Sequence, residues 1–415
     1  MSSQVPQGYK QTEVGVIPKD WDVMMAMEAC DLVVDCKNRT PPLVEASDYA
    51  VVRTSNVRNG QFVLEDLRFT DEASYHEWTA RAVPQFGDIM ITREAPLGEV
   101  CSVPDDRKVC LGQRMMLYRP SPSKTNSLYF LYALMSFSVR ENLLRKVGGS
   151  TVEHAKVDDI RFLQLPAPSL LEQQAIASTL SDIDNLLASL DRLIAKKRDL
   201  KQATMQQLLT GKKRLPGFDE DWQEFCLKDM ADIVSGGTPK TTEPSYWNGN
   251  IQWCTPTDIT GCSDKYLMET ERCISINGLQ NSGTRLLPKG SLLLCSRATV
   301  GEIKIAGCEI CTNQGFKSLV CYPNMHNEFL YYKLLIMKQA MIERAFGSTF
   351  LEISKTNVAA LEVFIPTDIK EQTAIAQVLT DMDTELTTLQ TRRAKTQALK
   401  QAMMQELLTG RTRLI

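Results

Sequence analysis

One helix-forming stretch occurs twice in this chain of 415 residues, and no other feature restricts the fold as much. The first copy, EQQAIASTLSDIDNLLASLDRLIAKKRDLKQATMQQLLTGKKRL, runs from Glu172 to Leu215. The second, EQTAIAQVLTDMDTELTTLQTRRAKTQALKQAMMQELLTGRTRL, runs from Glu371 to Leu414. The copies stay 199 residues apart without a gap, and more than half of their positions are identical, including Gln173, Ala175, Ile176, Ala177, Asp182, Asp184 and the run from Leu200 to Ala203. Self-similarity at a fixed period dictates architecture before any local reading does. This period is long, so the repeating unit is a whole domain plus a helix.

Both copies read as helices. Ile176, Leu180, Ile183, Leu187, Leu190 and Ile194 recur in alternating steps of four and three, the pattern of a coiled-coil seam. Pro166 and Pro168 lie upstream and Gly211 at the C-terminal stop, where those residues belong. The helix is then about 60 Å long at 1.5 Å per residue. In the second copy Ile375, Leu379, Met382, Leu386 and Leu389 keep the seam. Arg392 and Arg393 interrupt it, and Leu399, Met403 and Leu407 are expected to resume it on a shifted face. Two helices of equal length with one seam each are expected to pack on each other.

Four segments follow: a globular region at 1–168, a helix at 169–211, a second globular region at 212–367 and a helix at 368–415. The globular regions differ in sequence but share landmarks in the same order. Gly87-Asp-Ile-Met-Ile-Thr and Gly290-Ser-Leu-Leu-Leu-Cys read as strands running into turns at Gly98 and Gly301. Gly112-Gln113-Arg114 and Asn313-Gln314-Gly315 each precede another strand, an amphipathic helix follows, and then Gly149-Ser150-Thr151 and Gly347-Ser348-Thr349. Strands mixed with a few helices indicate the α+β class. Alike helices carrying unlike domains describe a common scaffold with two recognition surfaces. The duplication also implies an approximate two-fold axis, so two copies of one partner would each meet the same surface.

Composition excludes several classes. No run of 18 uncharged apolar residues exists, and MSSQVPQGYKQTEVG lacks a signal-peptide core, so a cytoplasmic protein is expected. Twelve cysteines at irregular spacings read as reduced thiols, and Cys308-x-x-Cys311 has neither a second pair nor nearby histidines, so no metal site is expected. Walker A, Gly-x-Gly-x-x-Gly after a strand, Asn/Asp-Pro-Pro-Phe/Tyr, His-Glu-x-x-His and Gly-x-Ser-x-Gly are all missing. A binding protein without catalytic residues or a bound cofactor is expected.

The polar loops have the composition of nucleic-acid readers, although the net charge is −3 and any basic surface must be local. Arg and Lys match guanine O6 and N7, Asn and Gln match adenine N6 and N7, and hydroxyls suit phosphates. In the first region the candidates are Lys37, Asn38, Arg39, Arg53, Asn56, Arg58, Arg93, Gln113, Arg114, Ser150 and Thr151. In the second they are Thr238, Lys240, Thr241, Thr242, Trp247, Arg297, Asn313, Gln314, Lys317, Ser348, Thr349 and Lys355.

The plan resembles the specificity subunit of type I restriction–modification systems over essentially the whole chain. The marks are Tyr9-Lys-x-Thr-Glu-x-Gly-x-Ile-Pro-x-x-Trp21, Pro166-x-Pro168 before Glu172-Gln-x-Ala-Ile-Ala177, the ending Leu208-Leu-Thr-Gly211, and Gly236-Gly-Thr-Pro239 with Tyr246-Trp247. The resemblance implies two target-recognition domains alternating with two antiparallel helices, each domain binding half of an asymmetric bipartite DNA site. It also implies two methyltransferase subunits that use S-adenosylmethionine on adenine N6, and restriction subunits for cleavage. The first region lacks the Gly-Gly-Thr-Pro and Tyr-Trp marks. A rival reading is a coiled-coil scaffold whose globular domains bind protein.

If the helices set the gap between half-sites, four residues inserted in both, after Ala188 and after Thr387, lengthen each by about 6 Å. That is nearly two base pairs of DNA, at about 34 Å per ten. The methylated target is expected to keep both half-sites and gain one or two unread base pairs. A stable double-insertion protein acting on the original spacing contradicts the ruler.

Overall fold

The computed structural model describes residues 5–105, 107–147, 154–347 and 351–414. It divides into two compact units, one formed by 1–191 with 391–415 and the other by 192–390. Each therefore holds one globular region and parts of both long helices, Leu170–Leu208 and Ile369–Leu407. Among the described residues no helix is long and apolar enough to cross a membrane.

Helices and strands mix in both units, as expected of the α+β class. In the first, a four-stranded antiparallel sheet runs in the order Val100–Ser102, Ile89–Thr92, Met115–Pro120, Cys30–Asp35. Alternation of side chains explains its apolar sequence, because both faces are covered. Ile89 and Ile91 enter the core built with the helices, while Met90 enters a second core shared with the three-stranded sheet of Lys108–Leu111, Tyr49–Val52 and Arg68–Thr70. The second unit repeats the order with Ile303–Ala306, Leu292–Leu294, Lys317–Cys321 and Ala231–Ser235, and adds Tyr266–Leu267 at one edge. Leu292 and Leu294 face one core and Leu293 the other. Its small sheet joins Cys273–Ile274, Trp247–Cys254 and Ile310–Thr312.

The duplicated helix residues bind each unit together. Glu172 is 1% exposed, accepts a hydrogen bond from Trp21 Nε1 at 3.0 Å and is forked by the Arg413 guanidinium, whose Nη2 lies at 2.8 Å. In the other unit Glu371, also 1% exposed, accepts from Trp222 Nε1 at 3.3 Å and from Arg214 at 2.6 and 2.7 Å. Hydrogen bonding to these carboxylates raises both arginine pKa values. The neighbouring glutamines cap the loops they touch. Gln173 accepts from Thr125 Oγ1 and the Asn126 amide at 2.9 Å, and Gln372 accepts from the His326 amide at 2.8 Å. Gly211 and Gly410 take positive φ, 73° and 67°, and a Cβ there would lie 3.3 Å from a Trp222 ring atom and 3.1 Å from one of Trp21.

Within each unit the two helix segments run side by side in opposite directions, as their ion pairs show. Lys400 meets Asp184 at 2.6 Å and Arg393 meets Asp191 at 2.7 Å in one; Lys197 meets Glu385 at 2.6 Å and Lys201 meets Asp383 in the other. Tyr132 and Tyr332 donate to Asp184 and Asp383 at 2.7 and 2.6 Å. Ile176, Leu180, Leu187, Leu190, Ile194, Ile375 and Leu379 are buried, whereas Ile183, Met382, Leu386 and Leu389 are half-buried. The expected shift of face after Arg393 does not occur, although Leu407 is buried and Met403 packs against the core as expected. Leu399 is 54% exposed, while Thr396 and Lys400 are 9% and 5% exposed, so the stripe continues through Arg393, Thr396 and Lys400. Charged residues hold this stretch because acidic partners stand opposite.

Removing Asp184 strands a lysine whose side chain is 7% exposed, whereas removing Asp383 strands one that is 19% exposed. Breaking a buried pair from one side costs roughly 3–5 kcal/mol. Asp184→Ala is expected near the lower end of that range and Asp383→Ala below it, with Asp184→Ala/Lys400→Met recovering most of the loss. Chemical denaturation checks this, and equal small losses for both single variants contradict it.

Candidate nucleic-acid interface

Antiparallel pairing brings two loops of each domain together. The first sheet strand, Cys30–Asp35 or Ala231–Ser235, pairs with the strand Met115–Pro120 or Lys317–Cys321, through Asp35↔Met116 and Ser235↔Lys317. The loop leaving the one therefore lies beside the turn entering the other. In the first unit Gln113 Nε2 donates to the Asn38 carbonyl at 3.2 Å; in the second, Thr238 Oγ1 donates to Gln314 Oε1. The glutamines and the loop residues Asn38 and Thr238 are all exposed.

Around Gln113 the cations are held by carboxylates. Lys37 and Arg39 both reach Glu77, at 2.7 and 2.6 Å, over the Trp78 ring. Their hydrogen bonds, Lys37's first, lower the Glu77 pKa. Arg114, at φ 73°, pairs with Glu94, which also binds His154 Nδ1 at 2.6 Å. Arg53 Nη2 donates to both the carbonyl and a carboxylate oxygen of Asp66, at 2.6 and 2.7 Å. Arg58 is exposed on a short hairpin with Gln61.

Around Gln314, Arg297 forks one oxygen of Glu352 at 3.0 and 2.6 Å and remains 46% exposed. Asn313 is half-buried and turns Oδ1 onto the Gly315 amide at 2.8 Å. Lys240, Thr241, Thr242 and Lys355 are exposed, and the half-buried Trp247 donates Nε1 to the Lys240 carbonyl at 3.3 Å.

Three candidates are corrected. Asn56 is fully buried; its Oδ1 accepts from the Arg53 amide and its Nδ2 donates to the Val63 and Glu65 carbonyls, each at 3.1 Å. It organises a loop and has no amide edge left for a base. Arg93 is 9% exposed and donates Nε to the Ala155 carbonyl at 3.0 Å, with His154 at 3.2 Å from its Nη2. Lys317 is 8% exposed, and burial pushes its pKa down. Ser150, Thr151, Ser348 and Thr349 lie outside the described residues.

The sequence reading missed the carboxylates Glu77, Asp66, Glu94 and Glu352. Only Glu94, directly after Arg93, stood beside a candidate; Glu77 is 40 residues from Lys37 and Glu352 is 55 from Arg297. They orient the cations. Among the described residues no group of three or more His, Cys, Asp or Glu is placed to hold a metal.

The model of the type I restriction modification DNA specificity domain matches the chain twice, over residues 18–196 and 219–400. The chain belongs to this family. It is similar to the type I restriction enzyme MjaVIII specificity subunit of Methanocaldococcus jannaschii, 22% identical over 432 residues that cover 98% of this chain and 96% of that one. The MjaIX specificity subunit of the same organism is 34% identical over 166 residues, 40% of this chain and 38% of that one. The fold is similar to the HsdS subunit of Thermoanaerobacter tengcongensis, with TM-score 0.52 and 19% identity over 95% of this chain and 98% of that one. It is also similar to a chain from a structure of type I system assembly and conformational transition, with TM-score 0.60 and 18% identity over 95% and 99%.

Proposed function

We propose that this chain is the DNA-specificity subunit of a type I restriction–modification complex. The globular regions at 1–168 and 212–367 each read half of a bipartite target. The helices at 169–211 and 368–415 pair as an antiparallel coiled coil with a pseudo-two-fold axis, so that two methyltransferase subunits meet equivalent surfaces and restriction subunits join the assembly. S-adenosylmethionine is used by the methyltransferase subunits, and this chain binds no cofactor. The complex works in the cytoplasm.

The observation that carries this reading is the glutamine beside the exposed loop, Gln113 with Asn38 and Gln314 with Thr238, found once in each unit of a family matched twice. An exposed glutamine offers adenine a donor and an acceptor, and a neighbouring arginine offers guanine a fork. Gln113 with Arg114 and Gln314 with Arg297 supply both. Lys37, Arg39, Arg53, Arg58, Lys240, Thr241, Thr242 and Lys355 remain contacts to the backbone or to base edges in this reading, and Trp247 supports their loop.

Gln314→Ala with Arg297→Ala, in the assembled methyltransferase complex, is expected to erase preference at the half-site read by the second domain. Each lost bidentate contact removes roughly 1–3 kcal/mol of discrimination. Competition binding against DNA altered in one half-site at a time reads the effect. Equal loss of preference at both half-sites contradicts the assignment.

A further inference from the structure

Arg272 sits on a shelf of two indoles in the second unit. Its guanidinium carbon lies 3.7 Å from the centroid of the Trp247 ring and 5.3 Å from that of Trp253. The two indoles meet edge to face, centroids 5.1 Å apart at 87°. Strand pairing produces this stack, since Gln252 pairs with Cys273 and the Trp253 amide donates to the Arg272 carbonyl at 3.0 Å. Cross-strand neighbours share a sheet face, so Arg272 is delivered to the tryptophans by register.

The shelf is tied to the candidate interface at two points. Trp253 Nε1 donates to the Gly237 carbonyl at 3.0 Å, and Trp247 Nε1 donates to the Lys240 carbonyl at 3.3 Å. Both acceptors belong to the loop whose Thr238 meets Gln314. Arg272 is exposed, and among the described residues its guanidinium has no hydrogen bond or ion pair. Lys37 and Arg39 differ, because they stack on Trp78 but are also held by Glu77.

We infer that Arg272, held flat on Trp247, grips a DNA backbone phosphate beside the half-site read through Gln314. Stacking fixes the plane of the guanidinium and leaves its N–H edges to a ligand, and a planar fork fits a phosphate with two hydrogen bonds. Lys240, exposed on the same loop, brings a second cation, and Thr241 and Thr242 bring hydroxyls. Cations and hydroxyls in a row suit a phosphate track, which positions the protein while base edges are read elsewhere.

This inference rests on the proposed DNA-reading function, and the test separates the two. Binding of the intact methyltransferase complex to its target duplex is measured between 0.1 and 0.2 M salt for the native chain, Arg272→Ala and Arg272→Lys, with thermal unfolding as a folding control. If the native complex shows no salt-dependent, sequence-selective binding, the proposed function fails and this inference with it. If it binds, Arg272→Ala is expected to weaken target and unrelated DNA alike, by roughly four- to eightfold, and to lower the slope of log K against log salt by about 0.9. Half-site preference stays unchanged, and Arg272→Lys recovers part of the affinity and all of the slope. Unchanged affinity and slope in a folded Arg272→Ala complex overturn the contact. Loss of preference at one base pair also overturns it, because Arg272 would then read a base.

Discussion

A carboxylate removed from water must be matched by donors, and this requirement governs how each unit is assembled. Glu172 and Glu371 are each 1% exposed, and each receives an indole N–H and an arginine fork. An unpaired charge at that depth costs several kcal/mol, so four parts of a unit are bound to one geometry. They are the start of one long helix, the segment following the other, the tryptophan that opens the globular region, and the turn at Gly410 or Gly211 packed against that tryptophan. Gln173 and Gln372 extend the arrangement to the loops that open the helices Ser127–Met135 and Asn327–Ile336, at Asn126 and His326.

This explains which repeat positions stayed identical. Ile176, Ala177, Leu180 and Leu408 enter one core, and Ile375, Ala376, Leu379 and Leu209 enter the other. Asp184 and Lys400 in one unit, and Asp383 and Lys201 in the other, join the tyrosines Tyr132 and Tyr332. Position 194 is free of such duties, so Ile194 answers to Arg393 in the second copy without loss of the stripe. The globular regions keep one strand order with little shared sequence, since the cores ask only for apolar residues of suitable size, while the loops are left to diverge.

The class, the long helices and the family were legible because repetition and the spacing of Glu-Gln-x-Ala-Ile-Ala survive in one dimension. The matched positions of Gln113 and Gln314 were legible too, since each precedes a strand after the same landmarks. Side-chain fate was not. Asn56 sat in a run of polar loop residues, yet backbone groups at 53, 63 and 65 absorb its amide. Lys317 follows a glycine turn but is buried at the start of a sheet strand. The stripe through Arg393 and Lys400 is not legible in periodicity, because its stability comes from Asp191 and Asp184 on the other helix.

In the proposed function, the two domains each read half of one target. A genome-wide map of N6-methyladenine in cells with and without this chain tests it most directly. Methylation is expected at one motif made of two short defined sequences separated by a fixed number of unspecified base pairs, and it is expected to disappear when the chain is absent. A single uninterrupted motif, or a map unchanged by removing the chain, would contradict it.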